Sequence, residues 1–220
     1  MVPPGGVPDH NSPSAAGTSG ASAFDVVVIG ASAGGVSALA VVLGELPASF
    51  PVGIALVLHL SPARPSALID VLARQTRLRV CWAEEGTRLR PGVVVVAPPD
   101  RHLVFQADGT ISLAQTPQVH FSRPSVDTMF VSAAQAFGPR TLAVILTANG
   151  YDGSDGVAVV HQMGGVVIAQ DEASSEYFSM PHQAIASGGV SFVLPLVGIA
   201  PALERLVSLG AGGGVSPPAA

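Results

Sequence analysis

The sequence predicts an α/β fold: a doubly wound, mostly parallel sheet with helices on both faces, together with one small antiparallel hairpin. Three observations predict it. Short β-branched runs such as Asp25-Val26-Val27-Val28-Ile29-Gly30 lack polar alternation, as strands buried on both faces do. Helix-length stretches separate them, which is the pattern of parallel strands joined by crossovers. The 220 residues are 48% hydrophobic and only 11% charged, so a large core can be buried.

The elements follow in order. Residues 1–22 have turn and linker composition and are expected to form a tail. A first strand ends at Gly30, and Val36 to Leu46 suits a helix that stops before Pro47. Val52 to Leu60 reads as a second buried strand, followed by a helix from about Ser66 to Arg74. Arg79 to Ala83 and Gly92 to Ala97 are further strands. His102 to Gln106 and Thr110 to Ala114 flank an Asp108-Gly109 turn, the signature of a hairpin. Ser125 caps a helix that runs to Phe137 before Gly138-Pro139 stops it. Thr141 to Thr147 is a strand, Gly153 to Met163 a helix, and Val166 to Gln170 a strand. Ser179 is the expected cap of a helix carrying Pro181 in its first turn and stopping at Gly188-Gly189. Val190 to Pro195 and a helix from Ile199 to Leu209 complete a single folded unit, residues 23–209, with a second tail at 210–220.

Composition excludes several classes. The net charge is −5, and the ten basic residues are all arginine. Apart from the loose group Arg74, Arg77, Arg79, Arg88 and Arg90 they are scattered, so no nucleic-acid footprint is present. The single cysteine, Cys81, cannot form an intrachain disulfide, and no Cys/His spacing suggests a metal site or cofactor. No apolar run approaches the roughly 18 residues of a membrane span, and no secretory signal opens the chain. A cytoplasmic protein is expected.

In doubly wound sheets, chemistry gathers at the carboxyl ends of the strands. Gly30-Ala31-Ser32-Ala33-Gly34 follows the first strand, His59 ends the second, and Asn149-Gly150-Tyr151-Asp152-Gly153 follows the Thr141 strand. Ser32, His59 and Asp152 thus share one rim, and they are the residue types of a serine hydrolase. The first segment matches G-x-S-x-G, whose glycines let the chain turn sharply and expose the serine. A phosphate-binding turn is the alternative, although Ser32 stands where a dinucleotide site needs its middle glycine. His59 alone also fits a satisfied core histidine. Asp155 fits helix-terminus stabilisation, and His102, His120, His161 and His182 are expected to be surface or structural residues.

The segments VIGASAGGVSAL (28–39), LVLHLSP (56–62), RPSVDTMFVSAA (123–134), ILTANGYDG (145–153), AQDEASSEYFSMPHQAIASGG (169–189) and VLPL (193–196) resemble the catalytic domain of the CheB family, the chemoreceptor glutamate methylesterases. The resemblance spans Val26 to about Val207 in the family's order. It implies Ser32 as nucleophile, His59 as base and Asp152 as its orienting carboxylate, without cofactor or metal. The implied reaction is hydrolysis of γ-glutamyl methyl esters on a methyl-accepting chemoreceptor, with glutamine deamidation as a second activity. The usual member of the family carries an N-terminal receiver domain, for which the 22 tail residues are too few, so a stand-alone catalytic domain is expected, with any regulatory partner a separate protein. Asn149 stands where the family has methionine, and Ala148 where it has glycine. Arg123 is a candidate for steering an acidic receptor helix, or else a structural contact at a helix start. A non-catalytic binding module docking on a receptor or kinase assembly is the rival reading.

Overall fold

The computed structural model describes residues 22–59 and 67–209. Seven strands form one sheet: β1 (Val26–Ala31), β2 (Gly53–Leu58), β3 (Arg79–Trp82), β4 (Val93–Val96), β7 (Thr141–Ile145), β8 (Val166–Gln170) and β9 (Phe192–Leu194). Their order is β3-β4-β2-β1-β7-β8-β9, and every neighbouring pair is parallel. β5 (His102–Phe105) and β6 (Ile111–Ala114) make the expected antiparallel hairpin, with Gly109 at φ +80° in its turn.

The apolar strands divide their side chains by parity between two cores, as a sheet covered on both faces must. Val27, Ile29, Ile54, Leu56 and Val144 face α1 (Gly35–Glu45), α2 (Leu68–Ala73) and α6 (Leu196–Ser208). Val26, Val28, Ala55, Val57 and Ile145 face α3 (Val126–Phe137), α4 (Ser154–Gln162), α5 (Ser179–Ala186) and the hairpin. Leu103, Phe105 and Ile111 tie the hairpin into that second core.

Ser125 caps α3 as expected, its hydroxyl accepting the Thr128 N–H at 3.2 Å. Ser179 does not cap α5. It is the first helical residue, and its hydroxyl instead donates to the Gly150 carbonyl at 3.0 Å. The last strand is shorter than predicted, because Pro195 is extended and delivers the chain directly into α6, which begins at Leu196 rather than Ile199. The two expected tails lie outside the described residues, apart from Ser22. So do Leu60 of the second strand and the start of the following helix at Ser66.

The chain leaves β1 toward β2, β4 and β3 on one side and later returns to β7, β8 and β9 on the other. The crevice at the carboxyl ends of the central strands is therefore a topological switch point, where open α/β sheets bind ligands.

Candidate active site

Three adjacent central strands, β2, β1 and β7, deliver the three residues singled out from the sequence. Ser32 and His59 each stand one residue beyond a register pair, Ala31 with Leu58. Ser32 continues the parity of Val26, Val28 and Gly30, and His59 that of Ala55 and Val57, so both belong to the α3 side. The His59 N–H donates to the Ala31 carbonyl at 3.2 Å, and the Ser32 N–H donates to that of Thr147 at 3.2 Å. The rim is thus stitched by backbone bonds across all three strands.

The turn after Ser32 closes by a bond from the Gly35 N–H to the Ser32 carbonyl, 2.8 Å. Gly34 lies at φ +74°, a left-handed conformation open to glycine at little cost. A Cβ there would also come within 2.8 Å of the Glu176 carboxylate.

Asp152, 2% exposed, is the most heavily hydrogen-bonded side chain of the rim. Its Oδ2 accepts from His59 Nε2 at 2.7 Å and from the Val126 N–H at 2.7 Å. Its Oδ1 accepts from the Ser125 hydroxyl at 2.8 Å and the Asp127 N–H at 3.0 Å. Burial works against its charge. The bond from His59, followed by the N–H groups of Asp127 and Val126, outweighs burial and holds the carboxyl below its ordinary value. With Nε2 engaged, Nδ1 is the ring nitrogen left for a nucleophile's proton.

The N-terminus of α3 therefore acts as the anchor of Asp152, which the sequence did not reveal. Ser125 read only as a cap, yet its hydroxyl serves both Thr128 and Asp152. His102, expected at the surface or as a structural residue, is structural. It is fully buried, its Nδ1 accepting the Ser125 N–H at 3.2 Å and its Nε2 donating to the Pro117 carbonyl at 3.1 Å. That pair of bonds fixes its tautomer, and burial lowers its pKa. Asp127 accepts the Gly156 N–H at 2.7 Å. Burial pushes its carboxyl up to about 6, against the pull of the Gly156 and Gly153 N–H groups, and the neighbouring Asp152 charge adds to the rise.

A second set of buried polar groups holds the opposite wall. The Thr147 hydroxyl accepts the Tyr177 N–H at 2.8 Å and lies 3.2 Å from the carbonyl of Ala33. Gln170, fully buried at the end of β8, accepts the Thr147 N–H at 2.8 Å. A polar residue closing an apolar strand was the available signal for both.

Arg123 is a structural contact rather than a free steering charge. Its Nε and Nη2 grip one oxygen of Asp100 at 2.9 and 2.5 Å, and its Nη1 donates to the Thr116 carbonyl at 2.8 Å. His120, expected to be a surface or structural residue, stands beside Asp127, Asp155 and the Tyr151 ring. Asp155 lies in the first turn of α4 as expected. His161 and His182 are exposed, and so is Asn149.

Comparison with known proteins identifies the family. The family model for CheB methylesterase matches residues 27–203. A protein-glutamate methylesterase/protein-glutamine glutaminase of Anaeromyxobacter dehalogenans is 45% identical over 84% of this chain and 54% of its own length. Protein-glutamate methylesterase FrzG of Myxococcus xanthus is 40% identical over 84% of this chain and 56% of its own. The chain thus spans about half the length of these two relatives, while a relative from Leptospira interrogans, 34% identical over 83% of this chain, is covered over 95% of its length. The crystal structure of the Thermotoga maritima CheB methylesterase catalytic domain superposes with a TM-score of 0.80 at 37% identity, over 84% of this chain and 99% of that one. Because the matched segment runs from the first strand of the sheet into the last helix and carries the whole rim, the chain belongs to the CheB methylesterase family.

Proposed function

We propose that the chain is a serine hydrolase that removes methyl groups from γ-glutamyl methyl esters of methyl-accepting chemoreceptors. The observation that carries this reading is the 2.7 Å bond between His59 and Asp152 on the rim that Ser32 shares. Residues 23–209 form the catalytic unit. His59 Nδ1 takes the proton of the Ser32 hydroxyl as its oxygen attacks the ester carbonyl. Asp152 keeps the imidazole in the required tautomer and stabilises its cationic form. The imidazolium then protonates the departing methoxide, methanol leaves, and a glutamyl ester remains on Ser32. Water, deprotonated by His59, hydrolyses that ester and returns the serine. Backbone N–H groups at Ala33 and in the Asn149 turn hold the oxyanion, each worth roughly 3 kcal/mol of barrier.

The same two steps applied to a glutamine side chain release ammonia instead of methanol. The substrate side chain comes from the cytoplasmic helical region of the receptor, laid across the exposed rim, so the protein works in the cytoplasm. Among the described residues no helix is long and apolar enough to cross a membrane. A non-catalytic docking module would have no use for a buried carboxylate held charged against an imidazole.

The experiment is direct. A receptor fragment carrying labelled γ-glutamyl methyl esters is incubated with the wild-type protein and with Ser32→Ala, and methanol is counted. Release by the wild type alone supports the reading. Equal release by both, or by neither, overturns it.

A further inference from the structure

Beside the proposed triad, a second group of side chains meets where the loop before α3, the first turn of α3 and the first turn of α4 come together. His120 Nε2 lies 3.2 Å from Asp127 Oδ2 and 3.7 Å from Asp155 Oδ2. One ligand atom from each of the three side chains lies within 4.8 Å of those of the other two. Asp127 is only 5% exposed. Its Oδ1 is satisfied by the Gly156 N–H, whereas its Oδ2 is buried with no hydrogen-bond partner.

That orphan oxygen is the informative observation. A buried carboxylate oxygen without a donor is costly, and such groups are rare in folded proteins. His120 Nε2 is near enough to serve, yet the contact is not aligned as a hydrogen bond. Nitrogen and oxygen this close, but not aimed at each other, are disposed like two ligands of one ion. With bonds of about 2.0–2.2 Å, tetrahedral zinc spaces its ligand atoms about 3.3–3.5 Å apart. The observed 3.2 and 3.7 Å bracket that spacing.

Other features hold the ligands in place. His120 and Phe121 are both left-handed, at φ 49° and 61°, in a tight turn closed by reciprocal backbone bonds between Val119 and Ser122. The Tyr151 ring packs edge-on against the imidazole, with ring centres 4.5 Å apart. Asp155 is largely exposed, so the third ligand can adjust and the site is open to solvent.

We infer that His120, Asp127 and Asp155 form a binding site for a zinc-class divalent cation, with water in the remaining position. One imidazole and two carboxylates suit zinc rather than magnesium or calcium, which prefer all-oxygen surroundings. The two carboxylates balance the charge of the ion. Bound there, it would fasten the His120 turn to the starts of α3 and α4. Asp127 also donates its N–H to Asp152 at 3.0 Å. The ion would therefore brace the anchor of the proposed triad without touching the reacting atoms.

The test uses the full chain stripped with a chelator and titrated with zinc against a chromophoric competitor, in parallel with thermal melting. Cys81→Ser removes the free thiol as a rival ligand, and Asp155→Asn alters only an exposed side chain, so neither endangers folding. The expected result is one zinc per chain in the wild type and Cys81→Ser. Affinity should fall about 100-fold in His120→Ala and about 10-fold in Asp155→Asn. At one zinc concentration the melting temperature should rise more in the wild type and Cys81→Ser than in His120→Ala or Asp155→Asn, and millimolar magnesium should raise none. Ser32→Ala should bind zinc like the wild type, so the site and the proposed esterase chemistry stand or fall separately. Absence of zinc binding in the wild type, or affinity unchanged in His120→Ala, would overturn the inference and leave His120 as an ion-pair partner of the two aspartates.

Discussion

Replacing Asp152 by asparagine changes one atom, and the structure dictates what that atom meets. The carboxylate accepts four hydrogen bonds, two of them from the backbone N–H groups of Val126 and Asp127, which cannot turn away. An amide must place its NH2 on one side or the other. On the Oδ1 side it opposes the Asp127 N–H, and only the Ser125 hydroxyl can reverse to suit it. On the Oδ2 side it opposes the Val126 N–H and forces His59 to offer a bare Nε2. Either way a buried donor faces a donor, at a site too enclosed for water to intervene. The expected loss is about 1–3 kcal/mol of stability.

The chemistry should suffer more than the fold. With the amide nitrogen toward His59, the ring proton moves to Nδ1 and no acceptor remains for the Ser32 hydroxyl. With the amide oxygen toward His59, the tautomer survives, but the charge that stabilises the imidazolium is gone. Turnover should fall by about 10⁴-fold. Urea midpoints and initial rates of methanol release on the same preparation give both numbers. Stability within about 0.5 kcal/mol of wild type would refute the opposed-donor reasoning. Turnover within about tenfold would refute the role of Asp152 itself. The sequence, which places Asp152 in an open glycine turn, would suggest almost no stability change; the four donors reverse that expectation.

Ser32→Ala should lower methanol release by roughly 10⁴-fold or more while leaving the melting temperature unchanged, since it removes one oxygen from the rim. Asp155→Asn should keep turnover within a few-fold and cost at most about 1 kcal/mol of helix-terminus stabilisation, read from the same urea curves. Stability should also fall on acidification through His102. Its folded pKa is depressed, so the unfolded chain takes up the proton first, near pH 6.5. The contribution is present above that pH and is lost below it, at up to about 1.4 kcal/mol per unit. His102→Asn keeps an acceptor for the Ser125 N–H, and its stability difference from wild type should shrink between pH 7.5 and 5.5. Gly30→Ala should cost about 1–3 kcal/mol and most of the activity, because the new methyl would collide with the Val126 side chain.

Most of the sheet was legible because its strands are apolar without interruption, so a polar residue closing one of them stands out. Ser32 and His59 were singled out on that basis, each just after the end of a strand, and Asp152 from the glycine-rich turn between β7 and α4. The meeting of Ser125, Asp127, His102 and His120 escaped because each has an ordinary local explanation, as a cap, a first-turn acid, a strand residue or a loop histidine. Their convergence depends on α3 lying across the sheet beside α4 and the hairpin, and no local pattern encodes that packing. Gly30 shows the limit most clearly. Within the G-x-S-x-G pattern it reads as the pivot of a sharp turn. In the structure it is an ordinary strand residue, paired with Val57 and Ile145. What it lacks is a Cβ, and the space is filled by Val126 at the first position of α3, which also crowds the Cβ position of Gly153 from the other side. Val126 in turn donates its N–H to Asp152. The first glycine of the pattern therefore serves the aspartate of the rim through α3, and the turn that exposes Ser32 rests instead on Gly34 at φ +74°.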